Sequence, residues 1–126
     1  TTPQDIALLD AKKALKMFEK VKVPVLGLVE NMSGHICPSC GHEDDIFGKG
    51  GGRKMASDYS LNLLGSLPID TNLRKSMDLG KPIVFEDHNS TTTQTYLEIA
   101  RFVTAKISML NKDFSRKFPN IVVEDS

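Results

Sequence analysis

Cys37 and Cys40 are the only two cysteines among the 126 residues, and they stand in a Cys-Pro-Ser-Cys motif that is followed by glycine. A pair at this spacing supplies two of the roughly four thiolate or imidazole ligands that a zinc ion or an iron-sulfur cluster normally requires. The pair therefore predicts half of a metal site. We expect the other half from nearby histidines or from a second copy of the same protein.

Three metal or redox interpretations of this pair compete. A thioredoxin-like redox pair needs a long helix directly after the motif to lower the thiol pKa, and the Gly-His-Glu-Asp-Asp that follows Cys40 does not predict one. A zinc knuckle could recruit His35 or His42, although four ligands packed so closely would strain the backbone around one tetrahedral ion. A bridging [4Fe-4S] cluster would take one pair from each of two chains. The spacing alone favours a zinc site and an iron-sulfur cluster about equally, and it favours an inert surface pair less than either.

A strand, a crossover and a second strand must position the pair. Residues 23 to 30 form an almost continuous apolar run, typical of a buried parallel strand, and residues 61 to 67 predict a second strand. A helix over residues 53 to 60 would lie between them, which makes the strands parallel neighbours in a right-handed βαβ unit. The cysteines fall in the connecting loop, residues 33 to 52, whose glycine run from Gly48 to Gly52 we expect to be a flexible hinge.

Three further helices are predicted, over residues 3 to 20, 70 to 79 and 90 to 110. Thr2 is the expected N-cap of the first, Asp70 of the second, and Ser90 or one of the next three threonines that of the third. Residues 83 to 85 predict a short extended piece. Two parallel strands cannot cover the faces of these helices, so we expect further strands upstream of Thr1.

The carboxyl ends of both predicted strands meet at one edge of the sheet, where open parallel sheets bind ligands. Asn31 follows the first strand there, and its amide could donate to and accept from an adenine edge. Pro68 and Ile69 follow the second strand and offer an apolar surface for the ring. Ordinary turn chemistry explains the same residues without a ligand and is favoured on these residues alone. The nearby glycine run is not a Walker A loop, because Glu43 stands where its first glycine would fall.

Charge and hydropathy limit which binding partners and which cellular compartment the sequence indicates. Sixteen basic residues balance sixteen acidic ones, so the electrostatic signature of a nucleic-acid-binding or membrane-binding surface is missing and neither partner is indicated. No apolar run approaches the roughly 18 to 20 residues that span a bilayer, and the N-terminus has no signal-peptide pattern. We therefore expect a reducing, cytoplasmic setting, where close-spaced cysteines more often bind metal or act in redox chemistry than form structural disulfides.

Five segments together resemble a known family. They are residues 1 to 10, 18 to 33, 37 to 41, 46 to 51 and 63 to 70. They closely resemble the C-terminal half of the Mrp/ApbC iron-sulfur cluster carrier ATPases, which belong to the deviant-Walker P-loop class related to MinD and ParA. The order Glu-Asn-Met, Cys-x-x-Cys, Phe-Gly-x-Gly-Gly is highly specific and favours the cluster over zinc. The resemblance covers about residues 1 to 110, as the C-terminal half of a P-loop NTPase domain, and leaves residues 111 to 126 as a tail.

The resemblance implies an α/β fold, the C-terminal part of a three-layer P-loop NTPase with a mainly parallel sheet. It also implies a homodimer that holds a labile cluster, expected to be [4Fe-4S], on Cys37 and Cys40 of both chains. Such a carrier delivers its cluster to apo iron-sulfur proteins, with ATP and Mg binding and hydrolysis coupled to delivery.

In the same family, Asn31, Pro68 and Ile69 would lie beside the adenine. The Walker A lysines and the Mg-binding aspartate belong to the family's N-terminal half, and no residue of this chain matches them. We therefore expect this segment alone not to hydrolyse ATP. The alternative function is a zinc-stabilised interaction module without turnover.

Overall fold

The computed structural model describes residues 1 to 110, and the predicted tail from residue 111 lies outside the described residues. The elements along the chain are α1 (Asp5–Lys20), β1 (Leu28–Glu30), β2 (His35–Ile36), β3 (Glu43–Asp44), α2 (Gly51–Asp58), β4 (Leu63–Ser66), α3 (Thr71–Asp78), α4 (Ile83–Glu86) and α5 (Thr91–Met109). β1 pairs with β4, and β2 pairs with β3. Between residues 1 and 110, no helix is long and apolar enough to cross a membrane.

The parallel pair of β1 and β4 is the centre of the fold. Leu28 lies opposite Leu63 and Glu30 lies opposite Ser66, which confirms the predicted βαβ unit with α2 in the crossover. The first strand is shorter than the apolar run over residues 23 to 30 predicts. Pro24 has no N–H to donate, and the pairing with the neighbouring chain segment begins where Leu28 N–H donates to Asn62 O at 2.8 Å.

Helices cover both faces of this pair. On one face, Leu8 and Leu15 of α1 pack with Met55 of α2, and Leu28 contacts this cluster from the sheet. On the other face, α5 approaches β4 so closely that a Cβ on Gly65 would lie 2.5 Å from Ile99 Cγ1. The result is the layered α/β arrangement that the sequence predicts.

The start of the chain differs from the prediction. α1 begins at Asp5 with Gln4 as its N-cap and no side-chain cap, so Thr2 is not the N-cap and Pro3 is not helical. The cause lies in the sheet. The Thr1 ammonium donates to Val29 O at 3.1 Å, and Asn31 N–H donates to Thr1 O at 2.7 Å, a parallel pairing pattern on the free side of β1.

The glycine run is not the predicted hinge over its second half, because Gly51 and Gly52 begin α2. A Cβ on Gly51 would clash with Pro3 O, and one on Gly52 would lie 2.7 Å from Glu30 Oε2. These glycines therefore permit close packing of the helix start. Gly50 precedes them as the N-cap with φ 72°, a left-handed conformation that glycine adopts at little cost.

The later helices follow their local signals. Asp70 caps α3 by accepting hydrogen bonds from the N–H groups of Asn72 and Leu73, and Ser90 caps α5 by accepting one from Thr93 N–H. The extended piece predicted at residues 83 to 85 is wrong, because this stretch lies in α4. Pro82 is the N-cap of α4 with φ −59°, and its fixed backbone angle suits the entry into a helical turn.

Candidate functional site

The two cysteines lie on a small β-hairpin that the sequence did not predict. β2 and β3 are antiparallel, with His35 opposite Asp44 and Ile36 opposite Glu43. Between them, Cys37 N–H donates to His42 O at 2.9 Å and the N–H of Gly41 donates to Cys37 O at 2.8 Å. We call residues 35 to 44 the cysteine hairpin. Its strands of two residues each are too short for any alternating pattern to reveal them.

The thiols stand at the turn of this hairpin and differ in exposure. Both are free, Cys37 being half-buried and Cys40 exposed. The backbone N–H of Ser39 and then that of Cys40 donate to the Cys37 sulfur and lower the pKa of this thiol, although burial opposes them. A lowered pKa favours the thiolate, which is the form that binds metal.

Over the part of the chain that the structure describes, no further protein ligand completes a metal site around these thiols. Among residues 1 to 110, no group of three or more His, Cys, Asp or Glu side chains is arranged to hold a metal ion. His35 turns towards the sheet edge, with Nδ1 3.3 Å from Ile69 O, and since a carbonyl only accepts, Nδ1–H is the donor. The zinc-knuckle alternative with an in-chain histidine ligand is therefore not preformed.

A cavity of about 370 Å³ opens beside the hairpin at the carboxyl edge of the sheet, and we call it the edge cavity. Its lining includes Asn31, Pro68 and Ile69, so the structure brings together the three residues that the sequence singled out. Asn31 Oδ1 also accepts the N–H of Met32 at 2.9 Å. Asn31 therefore makes a local hydrogen bond of the turn and also lines the edge cavity.

The sequence missed other residues that line the edge cavity. Phe47 approaches from the segment after the hairpin, and Tyr96 approaches from α5. Aromatic faces of this kind stack on planar rings. The periodicity of α5 marks Tyr96 only as part of an apolar helix face, and nothing local in the sequence indicates that it lines the same cavity as Phe47.

A buried carboxylate joins the sheet to the hairpin. Glu30, at the end of β1, is 3% exposed. Its Oε1 accepts the Ser33 hydroxyl at 2.7 Å, and its Oε2 accepts the N–H of Gly52 in the first turn of α2. Glu30 therefore connects β1, the start of α2 and the segment that leads into the cysteine hairpin, while the positive end of the α2 dipole favours its negative charge.

Asp70 plays a similar structural role on the other side of the edge cavity. Besides capping α3, its Oδ2 accepts the hydroxyl of the buried Thr92 at 2.8 Å, which ties α3 to the start of α5. Burial raises the pKa of Asp70, but the hydrogen bonds from Thr92 and the α3 backbone outweigh it, so that the pKa is lowered overall.

Parallel strands with helices on both faces and a cavity at their carboxyl edge define the class as an open α/β fold, in which ligands bind at that edge. A solved structure described as the nucleotide-binding protein in complex with ADP, from Archaeoglobus fulgidus, shares it with a TM-score of 0.55 and 36% identity. The match covers 74% of this chain and 40% of that one. The family model described as ParA, NUBPL iron-transfer P-loop NTPase matches residues 1–104, and the chain belongs to this family.

Similar curated proteins bear names that agree with the family. The iron-sulfur cluster carrier protein of Salmonella typhimurium is 54% identical over 107 residues, which is 85% of this chain and 29% of that protein. The iron-sulfur cluster transfer protein NUBPL of Mus musculus is 48% identical over 107 residues, 85% of this chain and 34% of that protein. These matches confirm the resemblance to the Mrp/ApbC carriers. The chain spans about a third of the length of these two relatives.

Proposed function

We propose that this chain is the cluster-binding segment of an iron-sulfur cluster carrier, in which Cys37 and Cys40 of two copies hold one labile cluster. The observation that carries the proposal is the exposed hairpin turn with two free thiols, one of them with a lowered pKa. Relatives named as iron-sulfur cluster carrier and transfer proteins support this cargo.

The number of thiolate ligands that one chain supplies implies that two copies of the chain hold the cluster. A [4Fe-4S] cluster takes about four thiolates, and each chain supplies two, so binding requires a pair of hairpins that face each other across a two-fold axis. The homodimer and the [4Fe-4S] type both belong to the proposal. An exposed Cys40 leaves one side of such a cluster open to an incoming thiolate, which suits delivery to cytoplasmic apo iron-sulfur proteins.

The edge cavity is the proposed adenine site. Asn31 offers an amide to the base edge, while Pro68 and Ile69 offer an apolar surface, and the relative from Archaeoglobus fulgidus is described in complex with ADP. ATP and Mg binding, and hydrolysis coupled to cluster delivery, belong to the proposed whole protein. The segment has no counterpart of the Walker A lysines, so we expect no ATP turnover from residues 1 to 126 in a phosphate-release assay.

A second candidate is a zinc-stabilised interaction module. One observation favours it: backbone N–H groups donate to a cysteine sulfur in a tight Cys-Pro-Ser-Cys turn, as zinc knuckles also require. In this candidate a partner protein, or a second chain, would complete the zinc site, and no metal would be transferred to another protein.

Anaerobic reconstitution with iron and sulfide tests both candidates. The carrier proposal expects about four irons per two chains and a shift to the dimer when the cluster binds. Cys37→Ser and Cys40→Ser should each abolish the brown colour of the bound cluster and the cluster-dependent dimer. The far-UV circular dichroism of both variants should stay unchanged. His42→Ala should keep the iron, since histidine ligation belongs only to the zinc candidate. Stoichiometric zinc with rejection of iron, or a cluster that survives loss of either cysteine, would contradict the carrier.

A further inference from the structure

We propose that His35 is a positioning residue that couples the edge cavity to the cysteine hairpin, so that a nucleotide in the cavity changes the reactivity of the two thiols. The inference rests on the proposed adenine site and adds the route by which that site would act on the cysteines. Three observations support it. One segment lines both the edge cavity and a second cavity, hydrogen bonds join this segment to the base of the cysteine hairpin, and residues on either side of the hairpin line the edge cavity.

The segment from Pro68 to Asp70 separates two cavities. On one side lies the edge cavity. On the other lies a cavity of about 300 Å³, which the same three residues line together with His35, Ile36 and Pro38 from the cysteine hairpin. Because the same three residues line both cavities, a displacement of this segment towards one cavity changes the shape of the other.

Hydrogen bonds join this segment to the base of the hairpin. Ser33 N–H donates to Leu67 O at 2.9 Å, and Ile69 N–H donates to the oxygen of Gly34 at 2.8 Å. His35 then donates from Nδ1 to Ile69 O at 3.3 Å, and a parallel bridge pairs these two residues. A displacement of Ile69 therefore acts directly on the residue that lies two positions before Cys37.

The segments before and after the cysteine hairpin also line the edge cavity. Asn31 and Met32 lie before the hairpin and Phe47 lies after it, and all three line that cavity. Met32 has φ 57° and the following Gly34 has φ 93°, so the chain turns sharply between cavity and hairpin. A ligand that touches Asn31, Ile69 and Phe47 would contact the hairpin at every point of attachment, which gives it the differential contact that a conformational shift requires.

His35 is the link that mutation can remove. Of these three hydrogen bonds, two are made by backbone groups, which a side-chain substitution does not remove, whereas the third comes from the His35 ring. His35→Phe keeps a planar ring and strand propensity but loses the donor. His35→Asn keeps a side-chain N–H near the position of Nδ1 and should restore the bond.

The experiment uses cluster-free, full-length protein that carries residues 1 to 126. Iodoacetamide alkylation of Cys37 and Cys40 is followed by peptide mass spectrometry, without and with saturating Mg-ATP, and the affinity for Mg-ATP is measured in parallel. We expect Mg-ATP to change the alkylation rates about fivefold or more in the wild type, at the lower end of ordinary coupling between sites. His35→Phe should weaken this response and His35→Asn should retain it, while the measured affinities show that Mg-ATP saturates each variant.

His88→Ala is the matched control, because His88 lies in an exposed loop outside both cavities. It should respond to Mg-ATP as the wild type does. An undiminished response in His35→Phe, or wild-type protein that binds Mg-ATP without any change in alkylation, would overturn the coupling and leave the adenine site intact. Failure of the wild type to bind Mg-ATP would overturn the adenine site and the coupling together. The cysteine site is judged separately by iron reconstitution.

Discussion

Glu30 offers the sharpest test of how the fold holds the cysteine segment, because its two carboxylate oxygens meet two different donors. Oε1 accepts from the Ser33 hydroxyl and Oε2 accepts from Gly52 N–H, in a site where Glu30 is 3% exposed. Glu30→Ala removes both acceptors, whereas Glu30→Gln can keep both bonds. The glutamine oxygen would accept from Gly52, and its NH₂ group would donate to the Ser33 oxygen.

The two variants should therefore differ in the free energy of unfolding. In Glu30→Ala a backbone N–H and a hydroxyl lose their partner at a buried position, and each such loss costs about 1 to 3 kcal/mol. The two losses together amount to about 2 to 6 kcal/mol, and because Ser33 is half-buried and water can reach its hydroxyl, we expect a total in the lower half of this range, about 3 kcal/mol. In Glu30→Gln the main loss is the charge at the start of α2, which is worth about 0.3 to 1 kcal/mol.

Urea unfolding followed by circular dichroism measures both changes, provided that the slope against urea stays constant. Glu98→Ala is the control, because Glu98 is an exposed glutamate of α5 and its removal should change the free energy of unfolding by less than about 0.5 kcal/mol. The reasoning is refuted if Glu30→Gln destabilises as much as Glu30→Ala, or if Glu30→Ala resembles the control.

Three further changes test other parts of the site. The lowered pKa of Asp70 means that its stabilising effect is complete above the unfolded-state value of about 4 and is lost as the pH falls through the folded value. Asp70→Asn should therefore lower the melting temperature at pH 7, and its difference from the wild type should shrink at pH 3. Gly65→Ala places a Cβ 2.5 Å from Ile99 Cγ1, so we expect it to lower the free energy of unfolding by about 1 to 3 kcal/mol in the same urea assay, and an unchanged value would contradict the close packing of α5 on β4. Alkylation of Cys37 should titrate with a midpoint below that of free cysteine, and a midpoint at or above it would contradict the hydrogen bonds from the turn backbone.

The sequence predicted what local signals control. The parallel strands followed from two apolar runs and the length of the crossover between them. The caps Asp70 and Ser90 followed from side chains that accept hydrogen bonds two or three residues further on. Such signals need nothing beyond a few neighbouring residues, and this is why they survive in the structure.

What the sequence did not predict depends on residues far apart in the chain. Thr1 is held by the strand at Val29, which moves the helix start past Thr2. Glu30 occupies the space that a side chain at position 52 would need, so the first turn of α2 accommodates glycine there. Phe47 and Tyr96 line the edge cavity from separate parts of the chain, and their spacing in sequence does not predict this arrangement. The roles proposed for the cysteines and for Asn31, Pro68 and Ile69 remain predictions.

The brevity of the cysteine hairpin has a dynamic consequence. β2 and β3 are joined over two residue pairs, whereas β1 lies between β4 and Thr1 and packs against α2. Local unfolding follows the number of buried contacts, so the hairpin amides should exchange with deuterium through small openings, while those of β1 and β4 should exchange only through opening of the whole fold. The thiols thus sit on a separate cooperative unit that rearranges while the sheet beneath it stays folded.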